Sequence, residues 1–129
     1  MTRVVILADD LIWQTRLAGT VAAIGATADR ARSLLDLDAT LAAADALVVD
    51  LTSRGYDGVD AIERAARLRP GLAILAVGQH DDVALRKRAL AAGADRVLAY
   101  RKLFEDGPAT FARWLGDRAR GVADGTTAT

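Results

Sequence analysis

Four short runs constrain the fold of this chain more than any other feature: residues 4–7 (VVIL), 46–51 (ALVVDL), 72–77 (LAILAV) and 96–100 (RVLAY). Each is of strand length, and none alternates apolar with polar side chains. A strand with one wet face alternates with a period of two, so continuous apolar runs indicate strands covered on both faces, as in a parallel sheet between helices. A fifth run, residues 26–32, carries Asp29, Arg30 and Arg32 and reads as an edge strand.

Between these runs the pattern becomes helical. Leu17, Val21 and Ile24 fall at i, i+4 and i+7, predicting a helix over residues 11–24 that Asp10 caps and Gly25 ends. An Ala-rich helix is expected over residues 38–44, where the preceding SLLDLD offers several caps. A third covers residues 58–68, with Val59, Ile62 and Ala66 inward and Pro70 beyond its end. The fourth, residues 82–92, closes on Gly93, at a position where a left-handed residue is favoured. The last is expected to start at Pro108 and to carry Phe111, Trp114 and Leu115 on one face. Five β-α units in this order predict an α/β fold: a flavodoxin-like, doubly wound (βα)5 with a five-stranded parallel sheet in the order 2-1-3-4-5. The 129 residues suit one domain, residues 1–120, with residues 121–129 expected as a disordered tail that has nothing to bury.

Composition removes several classes of function. The 17 basic and 17 acidic side chains cancel, so there is no basic excess to hold nucleic acid directly or an anionic membrane. Without cysteine there are neither disulfides nor thiolate metal sites, and the single histidine, His80, reads as a solvated loop residue that cannot make a zinc site alone. No apolar run approaches the roughly 18 residues of a membrane span, and the opening MTRVVILADD reaches acid too soon for a signal peptide. A cytoplasmic protein is expected.

The predicted strand order brings distant acids together. Asp9 and Asp10 close the first strand and Asp50 closes the third, at the topological switch point where α/β sheets bind ligands outside the carboxyl ends of their strands. Three carboxylates meeting there repel one another unless a cation compensates. Mg²⁺ is the obvious candidate: it takes one or two carboxylates with several waters, and a backbone carbonyl just past Asp50 can join them. The plainer reading, Asp10 as a helix cap and Asp50 as the start of a turn, leaves their coincidence at the switch point unaccounted for.

At these residues the sequence resembles the receiver domains of bacterial two-component response regulators. VVILADD is similar to the receivers' first strand with its acidic pair, VDLTSRGYDG to the phosphoacceptor strand and its loop, and RPGLAILAVGQHDD with ALAAGAD to strand 4 through helix 4. The resemblance spans residues 3–115. It implies Asp50 as phosphoacceptor and Asp9, Asp10 and Asp50 as Mg²⁺ ligands, with the carbonyl of Thr52 completing the set. Gly55, Asp57 and Gly58 fall where that loop usually has them.

Other positions depart from the family pattern. The strand-4 hydroxyl that binds the phosphoryl oxygen becomes Gly78, the aromatic residue that swings behind it becomes Val97, and the strand-5 lysine becomes Tyr100, followed by Arg101. A strand longer by two residues instead puts Lys102 at the lysine position, since a shift of two preserves the face. Arg54 replaces the common loop proline. Phosphoryl transfer depends on neutralising charge at the equatorial oxygens, so losing a hydroxyl and a cation leaves little beyond the metal.

Trp13 either lids the pocket or packs on a neighbouring helix. Arg86, Lys87 and Arg88 read as a solvated face. With Arg101 and Trp114, Arg86 and Arg88 also edge the helix 4, strand 5, helix 5 surface by which receivers commonly contact partners. The expectation is a stand-alone, atypical receiver acting as a protein-interaction module in signal transduction. It is no enzyme, its partner is a kinase or effector, and the resemblance allows a homodimer through that surface. Two alternatives stand beside it: a working phosphoacceptor helped by Lys102 and Gln79, and a small Mg²⁺-dependent phosphohydrolase.

Overall fold

The apolar runs form a single five-stranded parallel sheet in the order β2-β1-β3-β4-β5. The structure is a computed structural model that describes residues 2–121. Its elements are β1 (Arg3–Leu7), α1 (Leu11–Ala23), β2 (Thr27–Ala31), α2 (Leu34–Leu41), β3 (Ala46–Asp50), α3 (Gly58–Leu68), β4 (Ala73–Gly78), α4 (Val83–Ala92), β5 (Arg96–Ala99) and α5 (Tyr100–Ala119). This is the expected doubly wound, flavodoxin-like architecture. The expected tail lies, from residue 122 onward, outside the described residues.

Period-two alternation divides each central strand between two cores. Val5, Leu7, Leu47, Val49, Ile74 and Ala76 face α2, α3 and α4, where they meet Leu37, Leu41, Ile62, Ala65 and Ala89. Val4, Ile6, Val48, Leu75 and Val77 face α1 and α5, where they meet Leu17, Val21, Phe111 and Trp114. A fully buried aliphatic side chain contributes about 1.5–3 kcal/mol relative to an exposed one. Both faces therefore have to be covered, which fixes the three-layer sandwich. In the register, Leu7 sits opposite Val49, Asp50 opposite Val77 and Gly78 opposite Ala99, so the carboxyl ends of β1, β3, β4 and β5 lie along one edge.

Three expectations are corrected. The second helix begins at Leu34, four residues before its expected start, because the Ser33 hydroxyl accepts from the Asp36 amide at 3.2 Å and this places Leu37 and Leu41 on the buried face. Helix α5 begins directly after a strand that ends at Ala99. It contains a break at Asp106, and Pro108 lies in the first turn of its second segment, where a missing N–H costs nothing. Trp114 does not reach the surface: it is 1% exposed, and its indole N–H donates to Asp95 at 3.0 Å, which locks α5 to the start of β5.

Candidate functional site

The acidic pair leaves β1 in two directions. Asp10 is the N-cap of α1, with Oδ1 accepting from the amides of Ile12 at 2.8 Å and Trp13 at 3.0 Å. Asp9 turns toward the β3–α3 loop, where its Oδ2 accepts from the Gly55 amide at 2.6 Å. A Cβ on Gly55 would stand 2.7 Å from that oxygen, so a larger residue there would push the Asp9 carboxylate aside. Asp50 ends β3 with its side chain 1% exposed. Its Oδ1 accepts from the Thr52 amide at 3.1 Å and from the Tyr100 hydroxyl, and the Thr52 hydroxyl lies within reach of both oxygens with one proton to give to either.

Two residues that the sequence reading did not single out hold this edge together. The Tyr56 hydroxyl donates toward the carbonyl oxygens of Leu7, at 2.9 Å, and Asp50, at 2.8 Å, bridging β1 and β3 where their ladder ends. Buried Gln14 donates from Nε2 to the carbonyls of Ala8 at 3.1 Å and Ala31 at 3.0 Å, tying α1 to the ends of β1 and β2. The available signal for Tyr56 was an aromatic residue between two glycines, Gly55 and Gly58, in the loop that follows a phosphoacceptor-like aspartate. Burial pushes the Tyr56 phenol above its usual range, reinforced by the negative charges of Asp50 and Asp9. Burial and then the hydrogen bond to Asp50 do the same to Tyr100. Both phenols therefore act as neutral donors.

Asp9, Asp10 and Asp50 line one pocket of about 450 Å³ together with Trp13, Thr52, Ser53 and Arg54. The oxygens are of the kind a hard cation takes. Their arrangement is committed elsewhere: Asp10 to its helix, Asp9 to Gly55, and Asp50 to Thr52 and Tyr100. Among the described residues no three acidic or histidine side chains are disposed as ligands of one ion. The three aspartates share a pocket in which each carboxylate is held by its own donors. What Thr52 turns to Asp50 is its amide and its hydroxyl.

The altered positions lie on β4, on β5 and at the start of α5. Gly78 ends β4 with no side chain, and a Cβ there would meet Leu51 Cδ1 at 3.4 Å. Val97 is buried in the core on the α2–α4 face. Tyr100 takes the place on Asp50. Lys102 lies away from it, exposed, with its ammonium 3.8 Å from Asp106, so the longer-strand alternative is corrected. Tyr100 packs at 4.1 Å, ring centroid to ring centroid, against Trp13, which therefore both lines the pocket and packs on a neighbour. Arg86 and Arg88 are exposed on α4, as is His80 in the loop before it. Arg101 is exposed and stands 3.4 Å from Glu105.

No family model and no curated protein matches the sequence. Solved structures do. A two-component response regulator from Clostridium difficile superposes with a TM-score of 0.79 at 17% identity, covering 90% of this chain and 97% of that one. A CheY-like response regulator receiver domain protein from Methanospirillum hungatei gives 0.77 at 20% identity, over 94% and 98%. A response regulator protein from Burkholderia pseudomallei, solved with a phosphorylated aspartic acid, a calcium ion and citrate, gives 0.76 at 18% identity, over 94% and 71%. The fold is that of the response regulator receivers. The receiver fold places its strand ends as the switch-point argument requires, and among the described residues no helix is long and apolar enough to cross a membrane.

Proposed function

We propose that this chain is an atypical receiver domain that works as a protein-interaction module in two-component signalling, retaining the acidic pocket but with its phosphoryl-switch parts replaced. The observation that carries the reading is the Tyr100 hydroxyl donating to Asp50, where the family resemblance calls for a lysine. An ammonium group supplies charge to a phosphoryl oxygen and to the carboxylates around it. A phenol that keeps its proton supplies a hydrogen bond and no charge. With Gly78 offering no hydroxyl, a phosphoryl group on Asp50 meets few of the contacts that make one conformer preferable to another, and a modification without differential contacts shifts no equilibrium. The module acts through a kinase or effector partner and catalyses nothing on an external substrate. Mg²⁺ enters this reading as a weak ligand, because binding it requires the aspartates to exchange existing hydrogen bonds for the ion. The arginines of α4 with Arg101 form the proposed contact surface, through which a homodimer would also pair.

Intact-mass analysis after incubation with acetyl phosphate and Mg²⁺ tests the reading. The expected result is a minor adduct that disappears in Asp50→Asn. A stoichiometric adduct, with beryllofluoride shifting amide resonances from Asp50 through β5, would overturn it in favour of a conventional phosphoacceptor. Arg54 is the one observation on that side, since it brings a cation to the pocket wall.

A further inference from the structure

We infer that Trp13 is a positioning residue for Asp50, acting through Tyr100, so that the state of the Asp50 carboxylate is read at an aromatic cluster between α1 and α5. The contact chain is continuous. Asp50 Oδ1 accepts from the Tyr100 hydroxyl, the Tyr100 ring lies 4.1 Å from that of Trp13, and Trp13 meets the edge of Phe104 at 5.9 Å. The Arg16 guanidinium closes the cluster, 4.5 Å from the Phe104 ring centre and 5.9 Å from that of Trp13. Two elements hold Tyr100 from opposite ends. Its hydroxyl is fixed by Asp50 and Thr52, and its ring by a residue in the first turn of the helix that Asp10 caps.

This geometry gives the chain a route that does not pass through Gly78 and Val97. Those two positions offer neither a hydroxyl to move nor a ring to swing. Tyr100 offers both a hydroxyl on the carboxylate and a ring on the cluster. Any group that engages Asp50 Oδ1 displaces the Tyr100 hydroxyl, and the ring, packed on Trp13, cannot move alone. The outer end of the cluster is wet: Phe104 is 60% exposed, so a change in ring packing alters the surface between α1 and α5. As a signalling route the inference rests on the receiver reading; as a contact chain it rests on the geometry alone.

The test is a double-mutant cycle on the full chain, read by NMR without metal or phosphodonor. The chain has two tryptophans, and the Trp13 indole resonance is assigned by its loss in Trp13→Phe. Asp50→Ala is expected to shift that resonance by several linewidths while moving the Trp114 indole little. In a Tyr100→Phe background the same substitution is expected to shift the two indoles equally little. An unmoved Trp13 resonance, or a shift undiminished by Tyr100→Phe, overturns the inference. The reverse direction guards against a poorly folded Asp50→Ala: Trp13→Leu is expected to shift the Asp50 carboxyl carbon, and to do so only while the Tyr100 hydroxyl is present. An equal shift in the Tyr100→Phe background would show that Trp13 acts on Asp50 by another path. Acetyl phosphate labelling decides the receiver reading separately, so failure of one is distinguishable from failure of the other.

Discussion

The hydroxyl of Tyr100 donates to the carboxylate of Asp50 across 50 residues of sequence. The bond stabilises the unmodified side chain, because it occupies an oxygen that a metal or phosphoryl group would otherwise engage. It also gives a buried polar group partners, since Asp50 Oδ1 accepts from the Thr52 amide and from the hydroxyl of Tyr100. A phenol at this position brings Asp50 a hydrogen bond without a positive charge, and it sets the resting arrangement of the carboxyl group.

Removing the carboxylate should therefore destabilise the fold, although it also relieves repulsion with Asp9 and Asp10. Asp50→Ala strips the acceptor from the Thr52 amide, the Thr52 hydroxyl and Tyr100, all part-buried donors, and a lost hydrogen bond of this kind costs roughly 0.5–1.5 kcal/mol. Asp50→Asn keeps an acceptor oxygen and sheds the charge, so its loss should be smaller. Urea midpoints with a common slope would compare the two. An Asp50→Ala variant more stable than the parent would mean that repulsion outweighs the hydrogen bonds.

Restoring the missing parts should restore the chemistry. Gly78 has room for a side chain, since an added Cβ stands 3.4 Å from Leu51 Cδ1, close to ordinary contact. The combination Gly78→Thr with Tyr100→Lys should raise the rate of labelling by acetyl phosphate about tenfold or more, because a charge-assisted donor contributes about 1.5–3 kcal/mol, roughly ten- to a hundredfold in rate. Tyr100→Phe, which clears the oxygen without adding charge, should not match it. Equal labelling of the two by mass analysis would place the defect in access and not in charge.

Tyr56→Phe isolates the bridge between β1 and β3. The ring stays packed while the Leu7 and Asp50 carbonyls lose their shared donor. A loss of about 1–2 kcal/mol in urea melts is expected, on the scale of one buried hydrogen bond with its acceptors left unsatisfied. Faster amide exchange should be confined to the β3–α3 loop. A variant as stable as the parent would show that water replaces the phenol there.

The parts of this fold that were legible in the sequence are those set by burial. Three of the four apolar runs became the inner strands and the fourth the β5 edge, and the strand order placed Asp9, Asp10 and Asp50 at one pocket. Competition among local signals hid the rest. Ser33 and the aspartates that follow could each cap α2, and only the inward direction of Leu37 and Leu41 chose between them. Pro108 opens the second segment of α5 as expected, but the first segment, from Tyr100 to the break at Asp106, has no such start signal and forms where Leu103 packs on the core and Phe104 meets Trp13. The partner of Asp50 depended on where β5 stops. Neither register is preferred by periodicity, since Tyr100 and Lys102 differ by two residues. The bridging role of Tyr56 was hidden for another reason: it depends on the separation of two backbone carbonyls, which no side-chain pattern records.

The two raised phenols make a prediction about alkaline pH. Burial is the main cause in each, with the charge of Asp50 and the hydrogen bond to it adding for Tyr100. The folded state holds these protons more tightly than the unfolded chain, whose phenols titrate near 10. Their contribution to stability is complete below about pH 10 and falls as pH rises through and beyond that value, because the unfolded state then binds fewer protons. Tyrosinate absorbance should therefore appear together with the loss of far-ultraviolet circular dichroism, not ahead of it. Tyr56→Phe and Tyr100→Phe should each flatten the alkaline decline while leaving the neutral-pH ranking of the variants unchanged. Phenolate forming in a still-folded chain at pH near 10 would mean that at least one hydroxyl is wet, and the steady donor to Asp50 would be lost with it.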